Sequence, residues 1–238
     1  GYSYKYIGCN LWQAVPWAAS GEAGRLRLCM ELDQLQAIGV NNLRIMAMAE
    51  GPNSEPWRLL PTMTQAPKDI DSTWLKGLDF VLVELSKRKM KAVLCLGNFW
   101  PWSGGFAQYV SWVKGSPIPY PPPAKAGSWA NFEAYSAKFY KNRKAKAYFR
   151  THCLSLLHRK NHINNLPYKE DPTIMAWQLA NEARPHKYFK AYKLWIKKTS
   201  HWIKKIVPYQ LMSIGTEGII SNDKKKYSQR YKQIHQFK

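Results

Sequence analysis

The sequence predicts an α/β fold built on a parallel sheet, and three observations carry that prediction. Short apolar runs alternate with longer segments of helical period. The runs are apolar at successive positions, as strands covered on both faces require. The segments after the first three runs are long and rich in Trp and Pro. Ordered loops of that length are commonly functional.

The elements follow in order. The first strand is predicted at Tyr6–Cys9, followed by the loop NLWQAVPWAASGEAG and a helix over Ala23–Ile38. The second, Asn42–Ala47, leads through MAEGPNSEPWRLLPTMTQAP to a helix over Ser72–Lys89. Asp71 or Ser72 is placed to cap that helix, and Leu75, Leu78, Leu82 and Leu85 recur three or four apart. The third strand, Ala92–Leu96, precedes the longest loop, NFWPWSGGFAQYVSWVKGSPIPYPPPAKAGSW, and helices over Asn131–Tyr140 and Lys144–Lys160. The fourth, Ile174–Leu179, is followed by a helix over Tyr188–Ile206, and the fifth is Leu211–Gly215. Repeated strand–helix units whose strand-end loops are elaborated point to the (β/α)8 TIM-barrel type, where those loops build the active site. About five such units are present, so the expectation is a truncated barrel forming a single incomplete catalytic domain over residues 1–238.

Composition narrows the function. Apolar residues make up 45% of 238, enough for a sizeable core. No apolar run approaches the roughly 18 residues of a membrane span. The opening GYSYKYIGCN shows no charged region followed by an apolar one, so no signal peptide is read there. The net charge is +21, unevenly spread: residues 1–137 carry 13 basic and 10 acidic side chains, residues 138–238 carry 23 and 5. A basic half suits a polyanion such as nucleic acid or an anionic surface. The alternative is a solvated Lys-rich helix face, because Lys197, Lys198, Lys204 and Lys205 alternate with Trp195, Ile196, Trp202 and Ile203. No nucleic-acid motif accompanies the charge, and no nucleic-acid partner is expected. Cys9, Cys29, Cys95 and Cys153 lack metal-site spacing, so free thiols are expected, with a disulfide open if the protein is exported.

The most informative stretch is DPTIMAWQLANEARP, Asp171–Pro185. Its strand ends at Asn181-Glu182, placing a carboxyl at the carboxyl end of a parallel strand, where a barrel carries its chemistry. Shielding by aromatic loops suits a carboxyl to general-acid work. The plainer reading is a helix cap or an ion pair with Arg184.

ANEARP resembles the Asn-Glu-Pro-Arg signature of retaining glycoside hydrolases on (β/α)8 barrels. With YIGCNLW, NNLRIMAMAEGPN, KAVLCLGNFWPWSGGFAQYV and LMSIGTEGI, the chain resembles the endo-β-1,4-mannanases of glycoside hydrolase family 5, in the family's order. The resemblance implies Glu182 as acid/base and Asn181 as the residue bonding the sugar 2-hydroxyl. It implies Arg44 as the arginine that positions the nucleophile and lines the glycone side, and Asn98 as an active-site Asn, with Gly97 where an Asn usually precedes it. Arg184 and Glu217 match polar residues lining the cleft. Trp12, Trp100 and Trp102 are sugar platforms or loop packing. The implied substrate is β-mannan, glucomannan or galactomannan, with no metal and no cofactor, and the implied location is secreted or periplasmic. Oligomeric state is open. Ala183 replaces the family's Pro after the catalytic Glu.

The family's nucleophile, a Glu ending the seventh strand, has no counterpart in the 238 residues. The resemblance places SNDKKKYSQRYKQIHQFK in the helix leading toward a sixth strand. Glu217 and Glu50 are the only stand-ins considered, and neither suits attack from across the barrel mouth. The expectation is therefore an acid/base half-site whose activity alone is doubtful, with an inactive mannan-binding fragment or a basic interaction protein as alternatives.

Overall fold

The computed structural model describes residues 4–217; the 221–238 segment and the end of LMSIGTEGI lie outside the described residues. Five strands form one parallel sheet in sequential order: β1 (Gly8–Asn10), β2 (Asn42–Met46), β3 (Lys91–Cys95), β4 (Ile174–Gln178) and β5 (Leu211–Ser213). Sequential parallel order with a helix after each of the first four strands is the wall of a TIM-type barrel. The helices are α1 (Ala14–Ala19), α2 (Glu22–Ala37), α3 (Ser72–Lys87), α4 (Gly105–Lys114), α5 (Trp129–Ser136), α6 (Arg143–Leu157) and α7 (Phe189–Ile206). All five predicted strands and five predicted helices are present within a few residues. The two additions, α1 and α4, lie inside segments read as loops.

Burial explains the sheet. β2, β3 and β4 are almost wholly buried, with Leu43, Ile45, Leu94 and Trp177 at zero exposure. β1 and β5, the edges among the described residues, are the exposed strands, Leu211 at 61%. That is the consequence expected of an open five-stranded sheet. α7 behaves as the amphipathic pattern requires, burying Tyr192, Trp195, Ile196, Thr199 and Ile203 and exposing Lys190, Lys197, Lys198 and Lys205. All four cysteines are free, Cys95 and Cys153 wholly buried. Among the described residues no helix is long and apolar enough to cross a membrane.

Two polar devices fix the covering layer. Asp71 caps α3 by accepting from Thr73 N at 2.7 Å, and Trp74 Nε1 donates to Ala47 O at 3.0 Å, tying α3 to the end of β2. Asp79, with no exposed surface, accepts from Arg159, His162 and Tyr168 and so anchors α3 to the segment between α6 and β4. Burial works to raise its carboxyl, but the hydrogen bonds from Arg159, Tyr168 and His162 outweigh that and hold it below its usual 3.8. Its contribution is therefore present above pH 3.8 and lost as pH falls through the lowered folded value. Asp79→Ala strands Arg159 and Tyr168 without their acceptor. Urea unfolding should show a loss of about 3–5 kcal/mol.

Candidate active site

The site forms where β3 and β4 extend past their last regular pairs. Asn181 N donates to Gly97 O at 2.7 Å and Phe99 N to Asn181 O at 3.0 Å, while Glu182 N donates across the other side to Gly215 O at 2.8 Å. Gly215 sits at φ +80, and a Cβ there would lie 2.0 Å from Ala180 O, so only glycine allows this approach. At Glu182 the chain turns with φ +51, a left-handed conformation that costs a non-glycine residue roughly 1–2 kcal/mol. Strain of this kind concentrates at functional sites.

Glu182 is partly exposed, and its Oε2 accepts from Trp100 Nε1 at 2.6 Å. That bond pins one carboxylate oxygen. Trp100 itself is only 8% exposed, so it serves chiefly to hold Glu182 rather than as an open sugar platform. Its ring stacks under the Arg184 guanidinium, 4.6 Å away. Arg184 Nη2 donates to Glu217 Oε2 at 2.7 Å and Nη1 to Glu133 Oε1 at 3.3 Å, so Arg184 and Glu217 meet as an ion pair beside Trp100. The plainer expectation, a Glu182–Arg184 pair, is not what forms.

On the inner face Arg44 reaches from β2 toward β4. Its Nε donates to Gln178 Oε1 at 2.7 Å, Nη2 to Asn181 Oδ1 at 2.8 Å and Nη1 to Asn10 Oδ1 at 3.3 Å. All three acceptors are neutral, and among the described residues Arg44 has no carboxylate partner. Asn181 Nδ2 in turn donates to Asn98 Oδ1 at 3.1 Å. Asn98, expected to face substrate, is instead wholly buried. Its amide bonds Trp100 N, Ser103 Oγ and Asn181, so it helps to orient Asn181.

The aromatic wall extends beyond the residues picked from sequence. Trp102 packs against Trp57 at 5.1 Å, Trp129 at 5.7 Å and Trp100 at 6.3 Å between ring centroids. Trp12, Gln13, Trp57, Arg58, Leu59 and Trp102 line a pocket of about 450 Å³. Trp57, Arg58 and Trp129 went unnamed in the sequence reading, although EPWRLLP and AGSW lie in the Trp-rich loops that signalled a site. Such a surface of ring faces with a few polar groups suits sugar rings. The two stand-in carboxylates are otherwise committed: Glu217 to Arg184, and Glu50 to a wholly buried position behind the wall.

The chain is similar to known proteins. A family model described as glycoside hydrolase family 5 β-mannosidase-like matches residues 1–238. A mannan endo-1,4-β-mannosidase 8 of Oryza sativa subsp. japonica is 31% identical over 213 residues, 89% of this chain and 52% of that protein. Mannan endo-1,4-β-mannosidase 1 of Arabidopsis thaliana is 30% identical over 87% of this chain and 45% of its own length. The crystal structure of a family 5 mannosidase from Rhizomucor miehei superposes with a TM-score of 0.86 at 38% identity, covering 93% of this chain and 53% of that one. A mutant of that enzyme was solved in complex with mannosyl-fructose. The chain thus spans about half the length of these relatives.

Proposed function

This chain belongs to the glycoside hydrolase family 5 β-mannosidase-like family, and from that membership we propose that its cleft is the acid/base side of a retaining β-mannan hydrolase. The fold is the TIM-barrel fold of the matched enzymes, represented by five βα units, and residues 1–238 are read as part of one catalytic domain. The observation that carries the reading is Glu182, held at the tip of β4 by the Trp100 indole beside the Arg44–Asn181–Asn98 chain.

Glu182 protonates the leaving glycosidic oxygen from Oε1 and then activates water. Asn181, its Oδ1 turned by Arg44 and its Nδ2 by Asn98, bonds the 2-hydroxyl of the sugar. The rings of Trp12, Trp57 and Trp102 face the CH surfaces of neighbouring mannose units. Retention needs a second carboxyl about 5–5.5 Å from the first. Arg44, a guanidinium with three neutral acceptors, is the group beside which that nucleophile belongs, and we assign it to a strand beyond the five described here. The products leave as oligosaccharides by endo cleavage of mannan, glucomannan or galactomannan outside the cell, a reading supported by the endo-acting relatives. The lysines of α7, part of the basic half, lie mostly on its outer face, and the reading gives them no part in the chemistry.

The test grafts residues 1–238 in place of the matching half of the Rhizomucor miehei mannosidase. A folded graft should hydrolyse mannohexaose to a mixture of shorter oligosaccharides. Release of mannose alone from one end would overturn the endo reading, and a folded graft inert toward every β-mannoside would overturn the function.

A further inference from the structure

Behind the tryptophan wall lies a buried chain that the proposed chemistry does not use. Glu50 Oε2 accepts from Gly105 N, the first residue of α4, at 3.0 Å, and Oε1 lies 3.0 Å from the Tyr109 hydroxyl. The same hydroxyl is 2.9 Å from His152 Nδ1, and His152 Nε2 is 2.9 Å from the carbonyl oxygen of Pro67. All three side chains have zero exposure.

Counting donors fixes the protons. Pro67 O only accepts, so His152 Nε2 carries a hydrogen. If His152 is neutral, its bare Nδ1 takes the Tyr109 proton. The Tyr109 oxygen then needs a donor from Glu50, which only a carboxylic acid O–H supplies. The other complete arrangement moves that proton to His152, giving a carboxylate and an imidazolium. With the proton gone, two acceptors face each other inside the protein, a costly arrangement.

The surroundings choose between the two. Arg58, on the loop between β2 and α3, favours the carboxylate through its charge, although its hydrogen bonds among the described residues go to Gln108, Tyr120 and Pro56 O and none to Glu50. The thiols facing Glu50, Cys95 on β3 and Cys153 on α6, are both pushed up by burial and bring no charge. Burial pushes the Glu50 carboxyl up to about 7 against the opposing pull of Gly105 N–H, Tyr109 and Arg58. Burial likewise pushes His152 down, with Pro67 O pulling the other way.

We propose that Glu50 is a neutral carboxylic acid, bonded through Tyr109 to a neutral His152, and that it acts as a positioning residue by clamping the turn that carries Trp100. The clamp is short-range. Glu50 N donates to Ser103 O at 2.7 Å, and a Cβ at Gly104 would lie 1.8 Å from Glu50 O, so the turn rests directly on the Glu50 backbone. Trp100, at the head of that turn, holds Glu182. The consequence for catalysis rests on the reading of Glu182 as acid/base; the position of the proton does not.

The test uses the full 238-residue chain and Glu50→Gln, whose amide offers the same donor to Tyr109 and acceptor to Gly105 but cannot titrate. The infrared difference spectrum at pH 6 should show a protonated carboxyl band present in the parent and lost in the variant. Because the folded carboxyl keeps its proton from its ordinary 4.5 up to about 7, parent stability should fall across that window relative to Glu50→Gln and then level off. Tryptophan emission of the folded chain should shift as pH rises through about 7, in the parent alone. No protonated band, a His152 imidazolium in ¹⁵N spectra at pH 6, parallel pH profiles, or a Glu50→Gln chain that fails to fold would each overturn the proposal. The infrared readout stands whether or not the graft cleaves mannan.

Discussion

Glu182→Ala in the graft lowers mannan hydrolysis by about 10²–10⁴-fold, the contribution of one positioned general acid/base. The size follows from what surrounds it. Glu217 and Glu133 are both bonded to Arg184, and Glu50 is sealed behind the wall, so none of these carboxyls is placed to take over the proton. Trp100→Phe provides a graded companion. It keeps the ring under Arg184 but removes the Nε1 donor at 2.6 Å, so Glu182 loses its orientation and keeps its carboxyl. Its loss should be smaller than that of Glu182→Ala and should fall on kcat more than on KM.

Arg44→Ala is expected to cost about 10²-fold in kcat, the scale of misplacing reacting groups by about 1 Å. Three acceptors on two chain segments, Asn10 on β1 and Gln178 and Asn181 on β4 and its extension, converge on this one guanidinium. Removing it frees the Asn181 amide that the 2-hydroxyl requires and withdraws the charge proposed to face the nucleophile. Arg44→Lys keeps the charge but cannot reproduce the fork, because an ammonium is a point donor on a flexible stem. It should therefore recover only part of the loss. If Arg44 were purely a structural tie between strands, both variants would lower thermal stability while leaving kcat per folded molecule unchanged. Steady-state kinetics set beside melting curves separates the two outcomes.

Much of the fold was legible because its signals are local. Each strand is a short apolar run, and α3 and α7 carry unbroken helical periods over Leu75–Leu85 and Tyr192–Ile203. α1 and α4 were read as loop for equally local reasons. Pro16 lies inside α1, and α4 begins at the Gly104-Gly105 pair, whose positive φ values serve close approaches to Glu50 O and Asn98 O rather than a break in the chain. The candidate site divides differently. Glu182 and Asn181 stand just past the end of β4, where the βα pattern and the family likeness both point. Arg44, expected at the end of its strand, sits in the middle of β2 and was marked by the likeness alone. The bond from Trp100 to Glu182 joins residues 82 apart, and no spacing rule reveals it. The inward course of Asn98 and Glu50 was not legible, since a polar residue just past a strand reads as facing solvent or substrate. Here both turn inward, one to orient Asn181 and the other to brace the turn beneath Trp100.

The central claim is that Glu182 donates the proton to the departing glycosidic oxygen. It is tested most directly by comparing two substrates on the Glu182→Ala graft: mannohexaose, whose leaving group needs that proton, and a dinitrophenyl β-mannoside, whose leaving group departs without one. The account predicts that glycosylation collapses by about 10²–10⁴-fold for the first and changes little for the second. An equal loss on both substrates, or no loss on either, would contradict it.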